Sequence, residues 1–367
     1  MEGDSNMKYA ALQNLSSFTL LDSPVKIKDL LTTAKELGYG AVGLTDINVT
    51  YGLVNFFEVA QKVGIKPLLG MQLRLNGLID SAHQYDLIAL AKTDEGYRNI
   101  LRLSSRINLL TDNGNKQKIL TIADLTKDLN DLIFIIPANL HSELLNLQMQ
   151  NESLGTDFLR QLVSLIPKSS SLYIGVYGSE KQENYIQYVK TLSRQFALPL
   201  VGVEDTCYLK PRDQFLRKTL QAIKKGEVLQ DITDLAKQSG SHYLPAIEEL
   251  SERYHKLGLD EALENTEKIA SVCNAKIIFQ TPVLPKFKQD QYSTSKDFLQ
   301  FLAQKGLQSR FGQRKVPANY QKQLNYELQV IDQMGFNDYF LIVWDVVNYC
   351  HRVGIAMGPG RGSAVAR

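Results

Sequence analysis

Tyr85-Asp-Leu-Ile-Ala-Leu-Ala91, followed after three residues by Glu95-Gly-Tyr-Arg-Asn-Ile-Leu-Arg-Leu103, sets the pattern for the first two-thirds of the chain. The first run reads as a buried strand and the second as an amphipathic helix. The same alternation recurs on both sides of it. Strands are expected at residues 9–15, 41–44, 67–75, 85–91, 132–136, 172–176 and 198–203. Helical patterns fall between them at 26–37, 54–63, 95–103, 154–165 and 181–196. Repeated strand-then-helix units predict an α/β fold with a parallel sheet, and about seven strands suffice to close a barrel. Pattern alone leaves a doubly wound open sheet available as well. In a barrel, function collects where the strands end, at the C-terminal face.

From residue 205 to 273 the pattern turns helical, most clearly at 212–223 and 259–272. Thr281-Pro-Val-Leu-Pro-Lys-Phe-Lys288 is proline-punctuated, extended and basic, and it marks a domain boundary. Beyond it helices are expected at 295–308, 318–334 and 339–351, then a short strand at 355–357. The domains are therefore read as 7–278, a linker at 279–288, and 289–367, with 1–6 as a leader.

A chain of 367 residues with 44% hydrophobic content can bury two cores. No apolar run approaches the length that spans a bilayer, and no signal peptide pattern opens the chain, so no membrane association is expected. Cys207, Cys273 and Cys350 are far apart, odd in number and in no metal-ligand spacing, which fits a reduced cytoplasmic setting. A net charge of +2 argues against a protein that coats nucleic acid. From Gln280 onward, however, eleven Lys or Arg stand against six Asp or Glu, leaving the preceding part mildly acidic. Such a division suits a protein with one domain facing phosphate.

Met357-Gly-Pro-Gly-Arg-Gly-Ser363 carries concentrated chemistry. Its glycines allow backbone to approach a bulky anion, because no Cβ stands in the way. Arg361 brings a forked donor suited to phosphate oxygens, and Ser363 would open any helix that follows. The spacing is neither the P-loop nor the dinucleotide fingerprint.

The stretch from Tyr326 to Gly354, containing Glu327-Leu-Gln-Val-Ile-Asp-Gln-Met-Gly-Phe336 and Tyr339-Phe-Leu-Ile-Val-Trp-Asp345, runs directly into that glycine turn. Together they resemble the start of the palm domain of the bacterial replicative DNA polymerase III alpha subunits. Gly64-Ile-Lys-Pro-Leu-Leu-Gly70 and Leu87–Ser105 are similar to stretches of the same family, so the resemblance covers nearly the whole chain. It implies a distorted seven-stranded barrel of the polymerase-and-histidinol-phosphatase (PHP) type, followed by a mainly helical start of a palm. It also implies that Gly360, Arg361, Gly362 and Ser363 hold the triphosphate of an incoming nucleotide. Mg²⁺ would be the cofactor of the full polymerase, held by palm aspartates of an acidic motif that these 367 residues lack. No catalytic residue is therefore assigned within the chain, and on its own it is expected to be inactive.

Metal-binding barrels of this type need His, Asp and Glu converging at strand ends. Against the family's ligand positions this chain has Gln13 and Leu15 in place of a His-x-His pair, Asp46 retained, Gln72 in place of a glutamate, and Asp205 and Cys207 in place of an Asp and a His. Every expected histidine is gone. A leucine offers no lone pair and a glutamine amide neutralises nothing, so no metal is expected here. Asp46 and Asp205 are expected instead to cap helices or accept backbone hydrogen bonds. His83, His141, His242, His255 and His351 fall on none of these positions and read as surface or packing residues.

Three readings follow. The first is part of a DNA-directed DNA polymerase, with primer-template DNA and deoxynucleotides as substrates. The second is a metal-dependent phosphoesterase or 3′–5′ exonuclease, which the ligand count disfavours. The third, compatible with the first, is a scaffold contacting a sliding clamp, clamp loader or proofreading exonuclease through apolar residues at 51–59 or 208–215. Leu341, Trp344, Val347 and Cys350 share one helical face, which favours core packing over base stacking for Trp344.

Overall fold

The run 132–136, Leu-Ile-Phe-Ile-Ile, is buried at all five positions, and seven of the eight residues of 84–91 are buried too. Strands with no polar alternation must be covered on both faces, and that requirement builds the architecture. The computed structural model of the chain describes residues 9–109, 111–112, 116–117, 120–228, 240–279, 283–290 and 292–358. Two compact units divide it, Met1–Ile278 and Phe279–Arg367. The expected leader, residues 280–282 of the expected linker and the glycine loop Gly360–Ser363 lie outside the described residues.

In the first unit, seven strands form one sheet in chain order: β1 (Ala10–Ala11), β2 (Ala41–Leu44), β3 (Lys66–Asn76), β4 (Gln84–Ala91), β5 (Leu132–Ile136), β6 (Ser171–Val176) and β7 (Leu200–Gly202). All seven coincide with runs expected from the sequence. The expectation of a wholly parallel sheet is corrected: β4 runs antiparallel to both β3 and β5, while the other neighbours are parallel. Only residues 77–83 join β3 to β4, too few for the crossover that a parallel pair requires. The Glu143 carboxylate fixes that turn by accepting the N–H groups of Leu78, Ile79 and Asp80 at 2.8–3.1 Å.

The two edges of the sheet meet. Asn14 and Thr206 form an isolated parallel bridge, in which Leu15 N–H donates to the Thr206 carbonyl at 2.9 Å and Thr206 N–H to the Gln13 carbonyl at 3.1 Å. The curled sheet is thereby closed into a distorted barrel. Ala10 N–H, on β1, is satisfied by Thr266 Oγ1 at 3.1 Å.

Helices wrap this sheet: α1 (Ile27–Glu36), α2 (Leu53–Val63), α3 (Asp94–Leu109), α4 (Glu143–Gln150), α5 (Glu152–Leu165), α6 (Glu183–Phe196), α7 (Gln214–Lys225), α8 (Ile247–Lys256) and α9 (Asp260–Val272). Most of these helices bury an apolar stripe at helical spacing, as α1 does with Ile27, Leu30, Leu31 and Ala34, whereas α7 buries Ala222 alone. Gly64 ends α2 in the left-handed conformation, φ 74°, which a glycine adopts without steric cost. The short α4 was not expected, while the charged α8 falls within the stretch 205–273 read as helical. Among the described residues no helix is long and apolar enough to cross a membrane.

The second unit holds α10 (Ser295–Phe311), α11 (Ala318–Gln333) and α12 (Asn337–Arg352). Its small core centres on Phe298, stacked with Tyr292 at 5.2 Å and Phe287 at 6.1 Å and met edge-on by Trp344 at 5.6 Å. Leu341 is fully buried beside them, so the leading half of the expected apolar face of α12 does pack. Residues 355–357 are irregular and exposed rather than a strand: no neighbouring strand pairs with them among the described residues.

Candidate functional site

The closing bridge sets the mouth of the barrel, because it brings the segment after β1 against the segment after β7. Gln13, 1% exposed, projects into this mouth and donates through Nε2 to Gln72 Oε1 at 3.0 Å and to Asp205 Oδ1 at 3.2 Å. Gln72, on β3, passes its own Nε2 to Asp86 Oδ2 at 2.7 Å. Asp86, on β4, is clamped from the far side by Arg74, whose Nε and a terminal nitrogen both reach it at 2.8 Å. Side-chain amides thus join two carboxylates across the mouth.

The remaining positions are equally occupied. Leu15, Cys207 and Tyr208 form a small buried cluster against which Ile47 and Tyr243 pack. Burial pushes the Cys207 thiol well up, and the neighbouring Asp205 charge adds to this, so it stays protonated. Asp46, just after β2, is turned to the segment after β1: the Ser16 N–H at 2.7 Å, the Ser16 hydroxyl at 2.6 Å and the Thr19 hydroxyl at 2.7 Å all donate to it. Burial raises the Asp46 carboxyl, and those hydrogen bonds pull partly against it. Burial would raise Asp205 too, but the hydrogen bond and charge of His242 and the nearby charge of Arg217 hold it below its ordinary value. His242 Nδ1 lies 3.4 Å from Asp205 Oδ2. Glu204 belongs elsewhere: it is paired with Arg253 at 2.7 Å and lies 3.1 Å from the Tyr254 hydroxyl.

Outside this network the mouth opens into a cavity of about 360 Å³. Its wall includes Leu15, Gln72 and Asp205, and four cationic side chains: Arg74, Arg217, Lys224 and Lys225. Lys224 pairs with Asp22 at 2.6 Å, and Asp22 also lines the cavity.

These residues do not fit a catalytic metal. Gln13 presents N–H groups where a cation would need lone pairs, Leu15 presents none, and the Asp46 oxygens already accept three donors. Among the described residues no group of three or more His, Cys, Asp or Glu is placed to hold a metal ion.

Of the positions marked in the sequence, the structure brings Gln13, Leu15, Gln72, Asp205 and Cys207 together at the mouth and turns Asp46 aside. Of the two roles expected for Asp46 and Asp205, helix capping or accepting backbone hydrogen bonds, Asp46 takes the second through the Ser16 N–H, whereas Asp205 is met by the Gln13 amide and the His242 imidazole. Sequence reading missed Asp86, Arg74, His242 and Arg217. One signal was present, a lone aspartate in the otherwise apolar run 85–91. His242 and Arg217 gave none, because only the fold carries them to the mouth.

Comparison with known proteins places these features. Residues 12–263 match the PHP domain family, and residues 297–367 match the family described as bacterial DNA polymerase III alpha NTPase domain. The chain is similar to DNA polymerase III subunit alpha of Halalkalibacterium halodurans, 30% identical over 351 residues, with 95% of this chain and 30% of that protein covered. Against the Bacillus subtilis protein of the same description, identity is 30% over 364 residues, covering 98% and 31%. The chain thus spans about 30% of the length of the curated relatives it matches. Among solved structures, a putative metal-dependent phosphoesterase from Bifidobacterium adolescentis aligns with a TM-score of 0.38 at 12% identity, covering 54% of this chain and 87% of that one.

Proposed function

The chain belongs to the PHP domain family, and from that premise we propose that it is the N-terminal portion of a DNA-directed DNA polymerase, a bacterial polymerase III alpha subunit acting in the cytoplasm, whose barrel serves structure rather than metal chemistry. The similarity to alpha subunits across 95–98% of this chain supports the first half of that reading. The observation that carries the second is the Gln13 amide joined to both Gln72 and Asp205 where a metal-binding barrel needs acceptors.

The parent enzyme would add deoxynucleoside triphosphates to a primer 3′ end on a DNA template during chromosomal replication. Gly360, Arg361, Gly362 and Ser363 would cradle the triphosphate, with backbone N–H groups and the Arg361 fork meeting phosphate oxygens. Magnesium ions, which such a polymerase uses to activate the 3′ hydroxyl and steady the leaving pyrophosphate, find no proposed ligand in this chain. A partner such as a proofreading exonuclease, a sliding clamp or a clamp loader has one candidate surface at Tyr51 and Val54, 67% and 43% exposed. The other candidate surface is weakened, since Tyr208 is 1% exposed. The alternative reading, a metal-dependent phosphoesterase or 3′–5′ exonuclease, loses support from the same amide network.

Two assays on the 367-residue chain test this reading. Neither Mg²⁺-dependent primer extension nor Mn²⁺-dependent phosphodiester hydrolysis is expected, whereas an azido-deoxynucleotide is expected to crosslink to the C-terminal peptide and to lose that product in Arg361→Gln. Hydrolysis that disappears in Asp205→Ala would overturn the structural role of the barrel. A crosslink unchanged by Arg361→Gln would overturn the cradle.

A further inference from the structure

We propose that a second cleft of the barrel unit, beside the mouth, binds a phosphate-bearing anion of nucleotide size. The proposal stands apart from the polymerase reading. The cleft measures about 850 Å³ and is walled by the turn after β6, by α7, by residues 240–243 and by α8. That volume lies in the range of small-molecule sites. None of Gln13, Leu15, Asp46, Gln72, Asp205 or Cys207 lines it.

Helix α7 is packed the wrong way round for a helix that merely covers a core. Gln214, Arg217, Lys218 and Gln221, spaced at one helical stripe, line the cleft. On the same helix Leu216 and Ile223 are 44% and 61% exposed, and Ala222 alone is buried. An amphipathic helix ordinarily turns its apolar stripe inward. Turning the polar stripe inward makes sense where the interior holds something charged.

The sign of that charge follows from the wall. Residues before Gln280 carry more Asp and Glu than Lys and Arg, yet five cationic side chains line this one cleft against Glu180 and Glu249. Arg253 and Lys256 are partnered by Glu204 and Glu252, each at 2.7 Å. Arg217 is different: its Nε is buried and has no hydrogen-bond partner. Arg253 Nε on the same wall is buried without a hydrogen bond too, its nearest carboxylate oxygen being Glu249 Oε1 at 4.0 Å. Buried donors of this kind cost free energy unless a ligand meets them. A forked guanidinium donor meets phosphate oxygens well. Tyr177 and Tyr243 also line the cleft, the first lying under the Arg253 guanidinium at 5.5 Å from its ring centre. Aromatic faces beside cations are the surroundings that nucleotide bases select.

Hydrogen exchange of the whole 367-residue chain, read by peptide in metal-free buffer, tests the site with pyrophosphate and with deoxyadenosine triphosphate as probes. Saturable slowing of the Gln214–Lys225 amides is expected with either probe. Arg217→Gln should raise the half-saturating concentration about tenfold or more, the loss of one charge-assisted contact. Exposed Lys181→Gln, which leaves the core untouched, should raise it about two- to fivefold. Tighter saturation by the nucleotide assigns a base subsite to the tyrosines, and equal saturation assigns phosphate alone; both uphold the proposal. No slowing in α7, slowing unaltered in both variants, protection confined to the C-terminal peptide, or preference for an acidic peptide over both probes would overturn it.

Discussion

Gln13 and Gln72 hold each other across the barrel mouth, amide to amide, with Gln13 Nε2 donating to Gln72 Oε1 at 3.0 Å. Because Gln13 also reaches Asp205 and Gln72 also reaches Asp86, the pair links β3 and β4 to the segment after β7. Side-chain N–H groups here neutralise no charge, but they satisfy carboxylate lone pairs that would otherwise be buried unmet.

Gln13→Ala should therefore destabilise the barrel by about 1–3 kcal/mol, since it strips a donor from two buried acceptors at once. Urea denaturation gives the number. In a double-mutant cycle with Gln72→Ala the two losses should be coupled by about 0.5–3 kcal/mol. Strict additivity would show that the two amides act independently.

Restoring a carboxylate at position 72 should harm the protein rather than repair it. Gln72→Glu sets a second negative charge against Asp86 Oδ2, which Gln72 now meets at 2.7 Å. The expected cost at pH 7 is on the order of 2 kcal/mol. The new carboxyl's folded pKa is raised, so the folded state binds the proton more readily and the variant regains stability as pH falls toward the carboxylate range. A deficit that stays constant from pH 7 to about 4.5 would contradict the geometry.

Asp205 should behave in the opposite sense. With its folded value held below the ordinary 3.8, its charge contributes stability above that pH and loses it as pH falls through the folded value. Wild-type chain should exceed Asp205→Asn in stability near pH 7, with the gap closing below about pH 4. Carboxyl ¹³C titration gives an independent check: Asp205 should protonate at lower pH than Asp46, which burial raises.

Phe298→Ala should cost the second unit about 3–5 kcal/mol, because Tyr292, Phe287 and Trp344 all pack on that ring. Trp344 is the single tryptophan, so its fluorescence reports on this unit alone. An early loss of that signal, with the barrel's melting unchanged, is the expected outcome.

The strands were legible because seven apolar runs of four to nine residues stand apart from helical periodicity, and the structure places a strand at each, although β1 and β7 are shorter than expected. The reversal of β4 was not, since direction depends on the turn at 77–83 and on Glu143, whose contacts with it span more than sixty residues. The mouth was half legible. Missing histidines were the ground for expecting no metal in the family's manner, but nothing at Gln13 or Gln72 announced that the two side chains would bond to each other. Arg217 and His242 stayed invisible for a simpler reason: a lone charge acquires meaning only from what the fold sets beside it.

The seam between Asn14 and Thr206 orders events during synthesis. Nearly two hundred residues separate the two halves of that bridge, and the N–H of Ala10 waits still longer, for Thr266. Until those segments emerge from the ribosome, the first strand is an unpaired edge, open to wrong neighbours. A ring that locks only when its last stave arrives gains no stability by instalments, so the nascent chain must keep its opening residues apart from other chains until Thr206 and Thr266 have been made.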